Sequence, residues 1–368
     1  MSVRVIVAAV LLSRVIFLLF AAGAMLVIPL DKGWIGSRVD STIPYLAWIW
    51  ANFDGEHFID IAVNGYQKTN FAFFPLYPAL ISAVGKILPI PLLYIGIAIS
   101  TLSFLVSMVL IEKIILIDYK QKIASLALLL LALFPLSFFY HSVYADSLFL
   151  LLTTSSFYLA RQKKWVASGV VGALATLDRF SGLALIPALA IEWYLQNKKN
   201  LKLKKAIIPI LLPATGLLAY MLYLQVSFGD PFLFQKSFSA WGQQNLTFPL
   251  QVVFRYLKIF IFVDKTLLVY WIAVLEFVSV ITYFALSIYV FKKIRPSYGV
   301  FMIALLTLVA FTGTFAGTPR YILHLFPAFI GLAIFLHKKQ KLIIAVLLLF
   351  LVLGFVLTGL FTRGYFVA

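Results

Sequence analysis

Cysteine is absent from this chain, so no disulfide can form and the redox compartment is unmarked. Charge is scarce: Asp, Glu, Lys and Arg make up 12% of residues, about half the share in a soluble domain. Acidic residues are scarcer still, 13 against 30 Lys and Arg, for a formal charge of +17. Turn-separated segments of alternating hydrophobicity are missing, which excludes a membrane β-barrel. No soluble domain, low-complexity tract or clear internal repeat interrupts the 368 residues. What is present is apolar: 63% of residues are hydrophobic and the mean hydropathy is +1.03. Apolar runs of about 20 residues recur, the length that crosses a hydrocarbon core of about 30 Å. The chain therefore reads as an all-α polytopic membrane protein, a single integral-membrane domain over 1–368.

The basic excess could suggest nucleic acid, but its placement points to topology. With the N-terminus inside, crossings are expected at 3–30, 91–112, 123–141, 146–160, 165–179, 182–196, 206–226, 267–291, 298–316, 322–336 and 342–361, about eleven in all. The first, with Arg4 and Arg14 and a tolerable cleavage site at Ala21-Ala-Gly-Ala24, is longer than a signal peptide and is expected to be an uncleaved span. Segment 73–88, interrupted by Pro75 and Pro78, is expected to be an interfacial helix. Inside loops then carry Lys120/Lys122, Arg161/Lys163/Lys164, Lys198 to Lys205, Lys292/Lys293/Arg295 and Lys338/Lys339/Lys341, as the positive-inside rule requires. The same threading puts the polar motifs outside, with a first outer loop at about 31–90. A later outer loop, about 227–266, is amphipathic near Phe254 to Phe262 and contains the sequon Asn245-Leu-Thr247.

That first loop holds Trp50-Ala-Asn-Phe-Asp54-Gly-Glu56-His57-Phe-Ile-Asp60. Charged residues beside a bilayer are costly to desolvate and mark a candidate site. A positioned carboxylate can take the proton of a sugar hydroxyl as it attacks an anomeric carbon through an oxocarbenium-like transition state. A lipid-linked sugar leaves as a phosphate, which the arginine fork binds with two donors; Arg179 and Arg320 stand at outer span ends. Trp48, Trp50, Tyr66, Tyr77 and Trp241 are candidate stacking surfaces for a sugar or a polyprenyl chain. Glu56, His57 and Asp60 are the candidate ligands for a divalent cation, Mg²⁺ or Mn²⁺, although no cofactor is required by the chemistry.

The chain resembles the PIG-V-type mannosyltransferases and their prokaryotic relatives, within the GT-C class of polyprenyl-phosphate-sugar-dependent glycosyltransferases. The resemblance rests on Asn52-Phe53-Asp54, Ile61-Ala-Val-Asn-Gly-Tyr66, Phe73-Phe-Pro-Leu-Tyr-Pro78, Phe134-Pro135 through Ser142, Tyr144 and Asp146-Ser147, then Asp178-Arg179-Phe-Ser-Gly182, Gly229-Asp230-Pro231 and Pro319-Arg320-Tyr321. Asn52 and Phe53 depart from the family's Arg-Trp, and Asp146 from its Glu. The resemblance implies a GT-C-like bundle and an inverting transfer, with Asp54 as catalytic base. It implies a polyprenyl-phosphate donor, with mannose as the sugar, and a lipid or glycan acceptor at the extracytoplasmic face of a prokaryotic plasma membrane. Trp50, His141, Tyr144, Asp146, Arg179, Arg320 and His324 are the expected donor- and substrate-binding residues. The alternatives are a GT-C enzyme for another sugar or a protein acceptor, or a transporter or flippase of a lipid-linked saccharide.

Overall fold

A computed structural model describes residues 3–31, 43–67, 70–198, 204–241 and 247–367. Parts of the first outer loop, the centre of the Lys198 to Lys205 linker, Gly242 and the Asn245 acceptor of the sequon lie outside the described residues.

Helix is the regular structure throughout, with no strand among the described residues. In hydrocarbon each backbone N–H and C=O must bond within its own segment, and a helix does this. Four helices are long and apolar enough to cross a membrane: Arg4–Val27, Leu92–Asp118, Leu268–Lys293 and Gln340–Thr362. A fifth candidate is the pair Thr318–His324 and Phe326–Leu336, bent by 82°. Pro327 sits in the first turn of the second half, where its missing N–H removes no helical bond.

The other six expected crossings, eleven less these five, fall on helices of 12 to 16 residues, from Gln121–Ala132 to Asp146–Arg161 and Pro213–Phe228. At about 1.5 Å per residue they are roughly 18–24 Å long. Two expected spans are corrected. The 123–141 run is helical only to Ala132, because Phe134 precedes Pro135 and the residue before proline avoids the helical region. Its remainder is irregular and largely buried, with a 3₁₀ turn at Ser137–His141. The 206–226 run divides before Pro213 into Lys204–Leu211 and Pro213–Phe228. The 73–88 segment forms a helix over Leu76–Gly85, about 15 Å long and too short to cross.

Two compact units divide the chain, each discontinuous in sequence: Met1–Gly65, Tyr77–Thr154 and Leu332–Val367 form one, Tyr66–Leu76 and Ser155–Gly331 the other. In the first, Val3–Val27 packs against Gln340–Thr362 and Leu92–Asp118. Arg14, 4% exposed inside the first span, gives Nη1 to the Ser137 carbonyl at 2.8 Å. Its guanidinium lies 4.8 Å from the Phe104 ring centre, and Phe104 stacks on Tyr140 at 4.2 Å. The turn after Ala132 thus lends a carbonyl to a cation that hydrocarbon would reject.

In the second unit, Trp165–Asp178 packs against Pro213–Phe228, and Leu185–Asn197 against Pro296–Ala310. The first pair touches at Gly216, where a Cβ would lie 2.0 Å from the Ala173 carbonyl oxygen. Gly216→Ala must part the helices and is expected to cost about 1–3 kcal/mol, the usual range for overpacking. A melting point in detergent equal to wild type would show that this contact opens without cost. The second pair is locked by Glu192, which is fully buried. Arg295 bonds it bidentately, Nε and Nη2 each at 2.6 Å, with Ser297 Oγ and Gln196 Nε2 also at 2.6 Å. Arg161 Nε lies 3.6 Å from the carboxylate and its Nη1 donates to Tyr298 at 3.0 Å.

Candidate functional site

The polar island of the first outer loop folds as a 3₁₀ turn, Ile49–Ala51, followed by the helix Asp54–Asn64. Between them Phe53 takes φ 60° and ψ −116°, a region that non-glycine residues avoid and that persists only where the surroundings impose it. Phe53 is held by Phe361 and Phe366, with ring centres at 5.7 and 5.8 Å. Asn52, fully buried, donates Nδ2 to the Phe361 carbonyl at 2.8 Å, while its own carbonyl accepts the Tyr144 hydroxyl at 2.7 Å. The Val143 N–H donates to the Trp50 carbonyl at 2.8 Å. The turn before Asp54 is therefore fixed from two sides.

Asp54, half-buried, opens its helix together with Glu56. Carboxylates in a first turn face the positive end of the helix dipole. Asp146 likewise opens Asp146–Arg161 and is fully buried; beside it Ser147 Oγ donates to the Tyr140 carbonyl at 3.0 Å. His141 Nδ1 lies 3.0 Å from Thr101 Oγ1, and its ring meets the Trp50 edge at 5.6 Å. The first unit thus gathers Trp50, Asn52, Asp54, His141, Tyr144 and Asp146 on two adjoining segments.

Two expectations change here. Trp50 and Tyr77 were candidate stacking surfaces, but they are 1% and 0% exposed. Tyr77 donates to the Gly96 carbonyl at 2.9 Å and lies 2.8 Å from Ser100 Oγ, so neither ring offers a face to a sugar. Among the described residues, no three His, Asp or Glu side chains come together to hold a metal, so Glu56, His57 and Asp60 do not form a ligand set. Glu56 and His57 are neighbours on one helix and diverge by about 100°, and Asp60 accepts Asn64 Nδ2 at 2.8 Å.

The second unit builds a cationic cluster. Asp178 ends the helix Trp165–Asp178 and Arg179 leaves it extended. Gly182 then turns the chain where a Cβ would lie 2.6 Å from Thr176 backbone atoms, which explains the glycine of Asp178-Arg179-Phe-Ser-Gly182. Arg179 Nη1 lies 3.4 Å from His324 Nε2, its guanidinium 5.4 Å from the Tyr321 ring, and Tyr321 and His324 meet edge to face at 5.8 Å. A guanidinium can only donate, so this contact requires a neutral His324 carrying its proton on Nδ1. Arg320, 9% exposed, stands in the turn Thr318–Tyr321. The hydroxyls of Thr318 and Ser181 are buried without a hydrogen-bond partner.

Tyr321, part of the motif Pro319-Arg320-Tyr321 but not among the expected binding residues, joins this cluster. Gly229-Asp230-Pro231 has a local structural role: Gly229, at φ 78°, ends the helix Pro213–Phe228. Asp230 accepts the Phe232 N–H at 2.9 Å and pairs with Lys236. These bonds hold its carboxyl below the usual carboxylate range.

Comparison with known proteins now adds to this geometry. A family profile described as Mannosyltransferase (PIG-V) matches residues 2–296. GPI alpha-1,6-mannosyltransferase 2 of Rattus norvegicus is 32% identical over 160 residues, 40% of this chain and 32% of the relative. The protein of the same name from Cricetulus griseus is 33% identical over 162 residues, with the same coverages. The matched region thus spans about a third of the length of these curated relatives. The crystal structure of ArnT from Cupriavidus metallidurans bound to undecaprenyl phosphate superposes with a TM-score of 0.51 at 15% identity, over 90% of this chain and 60% of ArnT. At that identity the likeness is one of fold alone, and it agrees with the all-helical architecture. The profile match, residues 2–296, includes the positions of Asp54, Asp146 and Arg179, and the chain belongs to the mannosyltransferase (PIG-V) family.

Proposed function

We infer that this protein is an inverting mannosyltransferase that moves mannose from a polyprenyl-phosphate donor to a hydroxyl of a lipid or glycan acceptor. Asp54 takes the proton of the acceptor hydroxyl, whose oxygen forms the new bond to the anomeric carbon. The bond from that carbon to the phosphate oxygen breaks, and polyprenyl phosphate leaves with the electron pair. A β-linked donor then yields an α-linked product. Arg179 and Arg320 hold the donor phosphate as guanidinium forks, with the free hydroxyls of Thr318 and Ser181 as further donors. Tyr144 acts through the Asn52 carbonyl to hold the turn before Asp54. The basic linkers support an inside N-terminus and an extracytoplasmic site.

The observation that carries this reading is the mounting of Asp54. A half-buried carboxylate begins a helix, directly after a strained residue and a doubly bonded Asn52, inside the family match. Mannose is supported by the names of the curated relatives, and a polyprenyl phosphate by the ligand of ArnT.

The test is transfer by the full chain in membranes supplied with labelled polyprenyl-phosphate mannose and a host lipid extract. Label is expected to enter the acceptor fraction, and Arg179→Gln is expected to raise the donor KM about tenfold or more, as for a lost charge-assisted contact. Transfer from another sugar's donor with none from mannose would replace the sugar. No transfer from any polyprenyl-phosphate donor would sink the reading.

A further inference from the structure

Glu276 is the sole carboxylate in the apolar helix Leu268–Lys293, eight residues in from Leu268. That depth is about 12 Å along the axis, and the residue is 5% exposed. An acidic group there is costly and calls for a use. Its partners identify one. Tyr256, from the helix Pro249–Phe262, donates its hydroxyl to Glu276 Oε2 at 2.5 Å, and the Glu276 carboxylate accepts the Gly317 N–H.

The same Tyr256 hydroxyl accepts the Phe315 N–H at 3.1 Å. Next to it, Arg255 gives Nη1 to the Gly313 carbonyl at 2.8 Å. These three side chains grip one stretch, Gly313 to Gly317, which has no regular secondary structure. The stretch leads straight into the turn Thr318–Tyr321, whose first bonds are Arg320 N–H and Tyr321 N–H to the Gly317 carbonyl at 3.0 and 3.1 Å. Whatever moves Gly317 moves Arg320 and Tyr321 with it, and Tyr321 contacts Arg179 and His324.

We propose that Arg255, Tyr256 and Glu276 are positioning residues for the lipid-phosphate site: they clamp the Gly313 to Gly317 loop and so preset Arg320, Tyr321 and His324 around Arg179. This rests on the reading that the cationic cluster binds the donor phosphate. The clamp explains a buried carboxylate that packing does not need. Without it an irregular loop would hold Arg320 by backbone geometry alone, and the phosphate would have to order the loop as it bound, at a cost in affinity.

The probe is undecaprenyl phosphate, titrated into the full-length chain in nanodiscs and read beside donor kinetics and amide exchange at 313–324. Tyr256→Phe removes all three hydroxyl contacts, to Glu276, the Phe315 N–H and Thr314 Oγ1. It is expected to weaken undecaprenyl phosphate binding about tenfold, at the low end for buried hydrogen bonds lost. The donor KM should rise by a like factor with kcat close to wild type, and the loop amides should exchange faster. Glu276→Gln keeps one acceptor oxygen and is expected to show a smaller shift in the same direction. It carries the test if Tyr256→Phe does not fold. Faster amide exchange with binding and KM unchanged would make the clamp purely structural and overturn the proposal. Wild-type protein that does not bind undecaprenyl phosphate would instead remove the donor-site reading, and the role of the clamp with it. Binding by wild type and variants alike overturns the clamp alone.

Discussion

Asp54→Asn is expected to lower sugar transfer by about 10²–10⁴-fold, the usual effect of losing a general base, while the protein folds as before. Asparagine has the shape of aspartate and is well tolerated at a helix start. The supports of the preceding turn are the Asn52 and Tyr144 bonds and the Val143 to Trp50 backbone bond, and none of them uses the Asp54 carboxylate. The measurement is transfer from labelled polyprenyl-phosphate mannose in membranes holding matched levels of wild-type and variant protein. Loss of turnover with donor binding retained places proton transfer at Asp54. Turnover equal to wild type would remove Asp54 from the chemistry.

Glu192→Ala is expected to give the largest loss of stability, about 3–5 kcal/mol, the range for breaking a buried ion pair from one side. The variant strips Arg295 of both its carboxylate bonds and leaves Ser297, Gln196 and Arg161 without their shared acceptor. Two largely desolvated guanidinium groups, Arg161 and Arg295, then remain without a carboxylate. The check is thermal unfolding in detergent. A drop of several degrees in Glu192→Ala that is recovered by also replacing Arg161 and Arg295 with methionine would identify uncompensated charge as the cause. A melting point unchanged in Glu192→Ala would mean that the cluster contributes nothing net.

Much of the outline could be read in the apolar runs. Hydrocarbon imposes a length and a composition on whatever crosses it, so Arg4–Val27, Leu92–Asp118, Leu268–Lys293 and Gln340–Thr362 were legible one segment at a time. Prolines marked breaks that a hydropathy reading passed over: Pro135 ends one expected span and Pro213 divides another, because the pyrrolidine ring acts locally while hydropathy averages over a window. The lone ionisable residues Arg14, Glu192 and Glu276 stood in plain view inside apolar stretches. That signal could have been taken from the sequence alone, since such residues need partners.

Partner identity was not legible. Nothing local links Arg14 to the carbonyl of Ser137, Glu192 to Arg295 and Ser297, or Glu276 to Tyr256 and Gly317. The same holds for Trp50, an exposed-looking aromatic in a polar loop that packs at 1% exposure, and for Glu56, His57 and Asp60, whose crowding in sequence does not become a ligand set. By itself the sequence determined a helical membrane chain, its basic linkers and the residue types of its motifs, because bilayer length and charge cost act on each segment separately. The tertiary structure alone decided which carbonyl, carboxylate or ring meets each buried charge, because those contacts join distant positions, 123 residues apart for Arg14 and Ser137 and 145 for Arg179 and His324, and only packing brings them within hydrogen-bond range.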